Sequence, residues 1–324
     1  MRTEQAHFIS RRQFMGSVAT AGLVLPSLDF AATEPLPPMA GKGSTICIFS
    51  KHLHWLSIPE MAETAANLGF SGVDLTVRKG GHVAPERVVD DLPKAVSVIR
   101  TAGLDVPMIT TDVISPDDPL TEPILKTATR LGIPNYRTAY LNYDRALGVA
   151  QSLDRYKEQL QKLAALNQKY GIHGAYQNHA GTRVGAAVWD LWELIKDIDP
   201  RWLGCQYDIK HAVAEGGMSW VNGLDVLKAH IRCIDIKDFI WVKKSDKWHD
   251  QVVPLGEGMV DFKAYFALLK QYSFSGPMSI HYEFPLGGAD TGQRQLTMPR
   301  ETVLAAIKHD LQTLRGFLKA AQLD

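Results

Sequence analysis

The sequence predicts an α/β chain folded as one (β/α)8 TIM barrel, on three observations. From residue 44 onward, short apolar runs alternate with amphipathic stretches eight times, the number of strand–helix units that closes such a barrel. Glycine stands repeatedly just after a predicted helix, where its left-handed conformation closes the helix end. Predicted helix-to-strand connections are short and strand-to-helix connections long, as in barrels whose strand-to-helix loops build the working face. The alternative is a doubly wound open sheet, disfavoured because no G-x-G-x-x-G follows the first strand. The 324 residues exceed the ~250 of a typical barrel, so one barrel and a leader account for the chain.

Taken in order, Ser44–Ser50 reads as a strand and Ile58–Leu68 as a helix closed by Gly69. The apolar run Gly72–Val77 is the second strand, followed by a helix over Pro85–Ala102 that stops at Gly103. Asp105–Thr110 and the helix Leu120–Leu131, with Gly132 behind it, form the third unit. Tyr136–Leu141 is a strand, and Leu153–Tyr170 a long helix ending at Gly171. The remaining pairs are His173–His179 with Val188–Ile198, Leu203–Asp208 with Trp220–Ala229, Ile231–Lys237 with Phe262–Tyr272, and Pro277–Glu283 with Glu301–Leu318. Helical spacing assigns Trp189, Leu191 and Trp192 to core packing. The longest strand-to-helix connections, Asp238–Asp261 and Phe284–Arg300, mark the functional face.

Lys plus Arg and Asp plus Glu balance at 35 each, which gives no reason to expect nucleic acid or an anionic membrane as partner. Ser10-Arg11-Arg12-Gln13-Phe14-Met15 looks like the twin-arginine export motif, followed by an uncharged stretch, Gly16 to Leu28, and small residues at Ala31-Ala32. That stretch is too short to span a bilayer, which takes ~20 apolar residues. Residues 1–32 therefore read as a signal peptide, 33–43 as a Pro-rich linker and 44–324 as the barrel. The expected place of action is periplasmic or otherwise extracytoplasmic, reached through the twin-arginine machinery, with no membrane association after signal removal. The mature chain would carry a net charge of about −1. Cys47, Cys205 and Cys233 lie in apolar runs without paired spacing and read as buried free thiols.

Strand side chains alternate with period two, so the polar residues at strand ends can be sorted by face. Gln177 shares a face with His179, Gln206 with Asp208, Asp235 with Lys237, and His281 with Glu283. Four neighbouring strands thus end in polar groups that converge on the barrel mouth. Burying such groups is costly unless they pair or bind something. A divalent cation (Mn, Co, Mg or Zn) suits carboxylate, imidazole and amide oxygen donors; a self-satisfied polar network is the alternative.

These strand ends resemble the xylose-isomerase-like TIM-barrel superfamily. Tyr176-Gln177-Asn178-His179 is similar to its "(E)NH", Asp208-Ile209-Lys210-His211 to "D-x-x-H" and Asp235-Ile236-Lys237-Asp238 to "H-x-K-D". Gly256-Glu257-Gly258 resembles "G-E-G", and Ser279-Ile280-His281-Tyr282-Glu283 resembles "S-I-E-x-E". The order holds over residues 44–320. The resemblance implies sugar isomerases and epimerases that hold one divalent metal with Glu, Asp, His and Glu. By position the ligands here would be Gln177, Asp208, Asp235 and His281, of which Asp208 alone is unchanged. Family epimerases use the two Glu ligands as acid and base on opposite faces of the sugar, whereas Gln177 cannot take a proton.

The expected chemistry is proton abstraction next to a sugar carbonyl polarised by the metal, with His281, Glu283, His179 and Lys237 as candidate acid–base groups. His211, His52, His54, Arg137, Trp241 and Glu257 are candidate substrate contacts. Asp74, Arg78, His82, Tyr140, Trp248 and His249 are further residues that can line the pocket. The expected partner is a small sugar or glycoside. With only one clear base, a lyase or hydratase acting on 3-keto-sugars or 3-keto-glycosides is the alternative, and a non-catalytic exported sugar-binding barrel the third reading.

Overall fold

The structure is a computed structural model that describes residues 44–323; the predicted leader and linker lie outside the described residues. In chain order the strands are β1 (Ile46–Phe49), β2 (Gly72–Val77), β3 (Asp105–Thr111), β4 (Asn135–Arg137), β5 (His173–Gln177), β6 (Leu203–Asp208) and β7 (Ile231–Ile236). A hairpin of β8 (Asp238–Lys244) and β9 (Lys247–Val253) follows, then β10 (Met278–Ile280). Strands β1 to β7 and β10 form a closed parallel barrel, sealed where Cys47 of β1 pairs with Ser279 of β10. The chain is therefore a (β/α)8 TIM barrel, as the alternation predicts.

The helices are α1 (Ile58–Leu68), α2 (Val88–Thr101), α3 (Thr121–Arg130), α4 (Gly148–Tyr170), α5 (Val188–Ile195), α6 (Ile209–Gly216), α7 (Trp220–Leu227), α8 (Phe262–Gln271) and α9 (Arg300–Ala321). Local chemistry sets several boundaries. Ser57 and Glu60 form a reciprocal capping box at the start of α1, and Gly69 at φ 99° closes its end. Gly171 at φ 68° closes α4 in the same way. No helix among the described residues is long and apolar enough to cross a membrane.

Three elements differ from the sequence expectation. The connection Asp238–Asp261 is not a loop but carries the β8–β9 hairpin, which turns at Ser245 (φ 48°) and Asp246 (φ 61°). That geometry needs positive φ at both central residues, a role usually signalled by Asn-Gly or Asp-Gly, so Ser-Asp hides it. The helix α6 starts directly on β6, because the Asp208 side chain caps it by accepting the His211 N–H. Trp189 is 55% exposed rather than core, while Leu191 is buried as expected. All three cysteines are buried free thiols.

The barrel interior is layered. Met108, Ala175 and Cys233, from β3, β5 and β7, form a small apolar cluster. Alternate strands contribute such layers in this fold. Two residues further along each strand, the same faces present Thr110, Gln177 and Asp235. The apolar layer thus floors a polar one at the C-terminal end.

The G-E-G segment has a structural role. The Asp238 carboxylate at the start of β8 accepts N–H bonds from Phe239 (2.8 Å), Gly256 (3.1 Å), Gly258 (2.9 Å) and Val260 (3.1 Å). A Cβ on Gly258 would stand 2.1 Å from Asp238 Oδ1, so no larger residue fits without displacing this anchor. Asp310 of α9 supports the same segment by accepting the Leu255 N–H at 3.2 Å. Burial pushes its carboxyl up to about 7, with Glu257 and Asp238 adding to the effect.

An acid whose folded pKa lies above its unfolded value binds more protons when folded, so stability falls as pH rises from about 4 to 7. Asp310→Asn removes that penalty. We expect its melting temperature to match wild type near pH 4 and to exceed it at pH 8, by an amount worth roughly 2–4 kcal/mol. An equal shift at both pH values in thermal melts would show that Asp310 titrates normally.

Candidate active site

The strand ends meet at a cavity of about 160 Å3 lined by Phe49, Lys51, Arg78, Arg137, Tyr140, Gln177, His179, Lys237, His281 and Glu283. Of the sequence candidates, His281, Glu283, Lys237, His179, Arg137 and Gln177 line it together. Asp208 and Asp235 lie in contact with its floor.

Gln177 organises that floor. Its Oε1 accepts from Arg137 Nη1 at 2.9 Å and from the Tyr140 hydroxyl. Its Nε2 donates to Asp208 Oδ2 at 2.9 Å and to Asp235 Oδ2 at 2.5 Å. Arginine has no acceptor, so the amide oxygen must face Arg137 and the nitrogen must face the two carboxylates. Gln177 therefore presents no oxygen to a cation there, contrary to the expected ligand role. A glutamate at 177 would put a third carboxylate against Asp208 and Asp235; glutamine turns that repulsion into two hydrogen bonds.

Lys237 is the second organiser. Its ammonium lies 3.0 Å from Asp208 Oδ2 and 2.9 Å from Glu283 Oε2, and Lys51 holds Glu283 Oε1 at 2.7 Å. Burial works to lower the Lys237 pKa, but Asp208 and Glu283 outweigh it and raise the value above the ordinary lysine range. Lys237 is thus held in its charged form, which suits an anion-stabilising group rather than the base that the sequence also admitted. Burial likewise works against the Glu283 charge, yet Lys237 and Lys51 hold its carboxyl well below the usual range, so it is ionised.

The histidines divide by role. His179 Nδ1 lies 2.9 Å from the Ala180 carbonyl, which can only accept. The proton is therefore on Nδ1 and the lone pair on Nε2. Burial, then the Lys237 charge, lowers the His179 pKa, so the ring is neutral. His211 is buried 4.0 Å from the His179 ring, with neither nitrogen hydrogen-bonded among the described residues and Nε2 3.6 Å from Asp208 Oδ2. It lies behind the cavity wall.

His52 and His54, expected as substrate contacts, are not among the residues that line the cavity. His52 Nδ1 is 3.0 Å from the Ala289 carbonyl and its Nε2 accepts the Tyr282 N–H at 3.0 Å. His54 bonds Thr76 Oγ1 (2.9 Å) and the Gly292 carbonyl (3.2 Å), and burial pushes its pKa down to about 3. Both are neutral struts that bind the first strand's end to the last long loop. Trp241 is 41% exposed on the hairpin and Glu257 is exposed on the anchored segment; neither lines the cavity. Trp248 and His249 are also exposed on the hairpin.

Sequence reasoning missed Lys51 and Phe49. The Phe49 ring stacks on His281 at 4.5 Å with an interplanar angle of 22°. An aromatic ending an apolar strand reads as core, and a lysine beside two histidines draws no notice.

The residues present do fit a divalent cation, in a set different from the expected one. Among the described residues, Asp74, Asp235 and His281 are buried and each offers one ligand atom, all within 4.8 Å of one another. His281 Nε2 faces Asp235 Oδ1 at 3.2 Å but forms no well-aligned hydrogen bond among the described residues. Among the described residues, Asp74 accepts only two hydroxyls, from Thr110 and Ser279, each at 2.9 Å. Burial pushes both Asp74 and Asp235 up to about 6. Two desolvated carboxylates and an orphaned imidazole nitrogen are donors that a divalent metal takes. The trio brings in Asp74 and leaves out Gln177 and Asp208, whose Oδ2 Lys237 and Gln177 engage.

The comparisons with known proteins agree with this architecture. The chain is similar to a D-tagatose 3-epimerase-like protein (15% identity, 86% of this chain and 98% of the other, TM-score 0.64). It is also similar to the 3-keto-D-glucoside 4-epimerase of E. coli (12% identity, 83% and 99%, TM-score 0.60). A third similar structure is the probable 3-DHS dehydratase of Bacillus anthracis (14% identity, 84% and 98%, TM-score 0.61). At these identities the likeness is one of fold. An uncharacterized protein of Methanocaldococcus jannaschii is 27% identical over 135 residues, 41% of this chain and 44% of that relative. The chain therefore matches less than half the length of that relative. The description of a xylose isomerase-like TIM barrel matches residues 62–298. The chain belongs to the xylose isomerase-like TIM barrel family.

Proposed function

We propose that the chain is a sugar-processing enzyme that moves a proton on the carbon next to a sugar carbonyl. The observation that carries this reading is the pairing, across one cavity, of a neutral imidazole and a fixed ammonium. His179 Nε2 carries a lone pair, and Lys237 cannot readily lose its charge. In this reading His179 takes the proton, and Lys237 meets the negative charge that develops on the carbonyl oxygen as an enediolate forms. Glu283, three residues past the end of β10, the barrel strand three places round from β5, fixes Lys237 and Lys51. Phe49 backs the cavity wall, its ring packed between His281 and the Arg78 and Arg137 guanidinia. A divalent cation on Asp74, Asp235 and His281 would supply Lewis-acid polarisation of the carbonyl. The twin-arginine-like leader supports action outside the cytoplasm, where glycosides are at hand.

One observation favours a second reading, a lyase or hydratase on 3-keto-glycosides. Glu283 is held ionised by two lysines, so it has no proton to return from the other face of the sugar. A single-base site completes an elimination more readily than an inversion. Incubation with keto-sugars and 3-keto-glycosides in D2O, followed by NMR, tests both readings. Deuterium is expected at the carbon beside the carbonyl, with activity lost on chelation and restored by Mn, Co, Mg or Zn. Release of the aglycone supports the lyase; neither exchange nor release on any metal-loaded sample overturns the proposal.

A further inference from the structure

We propose that the cavity takes a sugar acid, a single-ring substrate whose carboxylate is held by Arg78 and Arg137. This deepens the proposed function and rests on it for the carbonyl chemistry, while the carboxylate contact stands on separate observations.

Four cationic side chains line the cavity, Lys51, Arg78, Arg137 and Lys237, against one carboxylate, Glu283. Both lysines are already engaged by that carboxylate. The two arginines are not: among the described residues, neither guanidinium forms an ion pair. Arg137 is 5% exposed, gives one N–H to the neutral oxygen of Gln177, and leaves its Nε–H buried without a partner. The half-buried Arg78 guanidinium makes no hydrogen bond among the described residues and lies against the Phe49 ring.

Each guanidinium carbon lies 5.4 Å from the centroid of that same ring. Two like charges share one aromatic platform, and each disfavours the other. Asp235, Asp74 and Glu283 lie near enough to favour the Arg137 charge, whereas burial and Arg137 both work against the charge on Arg78, so an anion that joins the pair relieves Arg78 above all. Asp74 and Asp235 lie behind Arg137 but have their oxygens on hydroxyl and amide donors, not on the guanidinium.

The planar five-donor fork of arginine matches a carboxylate with two parallel hydrogen bonds. Phosphate shares that chemistry. The cavity volume of about 160 Å3 lies below the roughly 300–1,000 Å3 of drug-sized pockets, so the smaller anion, fixed directly to one sugar ring, suits it better.

Calorimetric titration of the full chain with D-glucuronate, D-galacturonate, D-glucose, D-galactose and glucose 6-phosphate is the test. The uronates are expected to bind at least about tenfold more tightly than the neutral sugars. Arg78→Gln should abolish that preference, and Arg78→Lys, which keeps the charge but loses the fork, should retain part of it. Arg78 forms no ion pair or side-chain hydrogen bond among the described residues and loses only its contact with the Phe49 ring, so both variants should melt close to wild type. Equal affinity for acids and neutral sugars, no uronate binding, a preference unchanged in Arg78→Gln, or tighter binding of the phosphate overturns the inference. Uronate binding without deuterium exchange on any carbonyl sugar would leave it standing and remove the proposed function. Exchange on neutral keto-sugars without a preference for acids would do the reverse.

Discussion

Replacing Lys237 by methionine is expected to destabilise the barrel by about 3–5 kcal/mol and to lower turnover by at least about a hundredfold. The stability loss follows from what the ammonium leaves behind. Asp208 is fully buried, with Lys237 at 3.0 Å as its one charged lysine or arginine partner among the described residues. Glu283 keeps Lys51, so the cost falls on Asp208. The turnover loss follows from the cavity position of the same ammonium, which in the proposed reaction meets developing oxyanion charge. The two effects separate in the double variant Lys237→Met/Asp208→Asn. Removing both charges should recover most of the stability, because an apolar and a neutral polar group replace a buried ion, while turnover stays low. Chemical denaturation gives the first quantity and deuterium exchange the second. A single variant as stable as wild type would mean that Asp208 is neutral or paired elsewhere.

The barrel was legible because its signals are local and repeated. Apolar runs, helix-closing glycines and the polar ends of β5, β6, β7 and β10 all follow from periods that a linear chain displays. The same period-two argument correctly turned Gln177, Asp208, Asp235 and His281 toward one point. It did not reveal their bonding. Which atom of the Gln177 amide faces the carboxylates depends on Arg137, forty residues away at the end of the preceding strand. Nor does a run such as Gly72-Val73-Asp74-Leu75 say whether its one acid joins the metal-binding group; that depends on Asp235 and His281 arriving from across the barrel.

The histidines after β1 illustrate the opposite error. His52 and His54, just past the first strand, read as candidate substrate contacts, yet backbone groups from the end of β10 and the last loop satisfy one ring and a threonine and a carbonyl the other. A histidine's role is fixed by where its two nitrogens find partners, and those partners lie more than two hundred residues away for three of the four bonds. Glu257 shows a motif whose glycines matter more than its acid: Gly256 and Gly258 bring their N–H groups to Asp238, and the carboxylate between them faces solvent.

His179→Gln should then reduce deuterium exchange by about 10²–10⁴-fold while leaving sugar affinity and the melting temperature close to wild type. The argument turns on the contrast between the four imidazoles nearest the mouth. His52 has both nitrogens bonded to backbone groups. His211 is buried behind the wall. His281 lies in the group that fits a cation, and a metal-bound nitrogen has no lone pair left for a proton. His179 alone combines a cavity-lining position with a tautomer that points a lone pair away from its carbonyl anchor. Its one side-chain hydrogen bond among the described residues is to the adjacent residue, so little stability is at stake. Exchange kinetics, with affinity read by calorimetry, decide the matter. A variant that retains exchange within about threefold of wild type would move the base to His281 or Glu283 and with it the division between metal ligand and base drawn for this site.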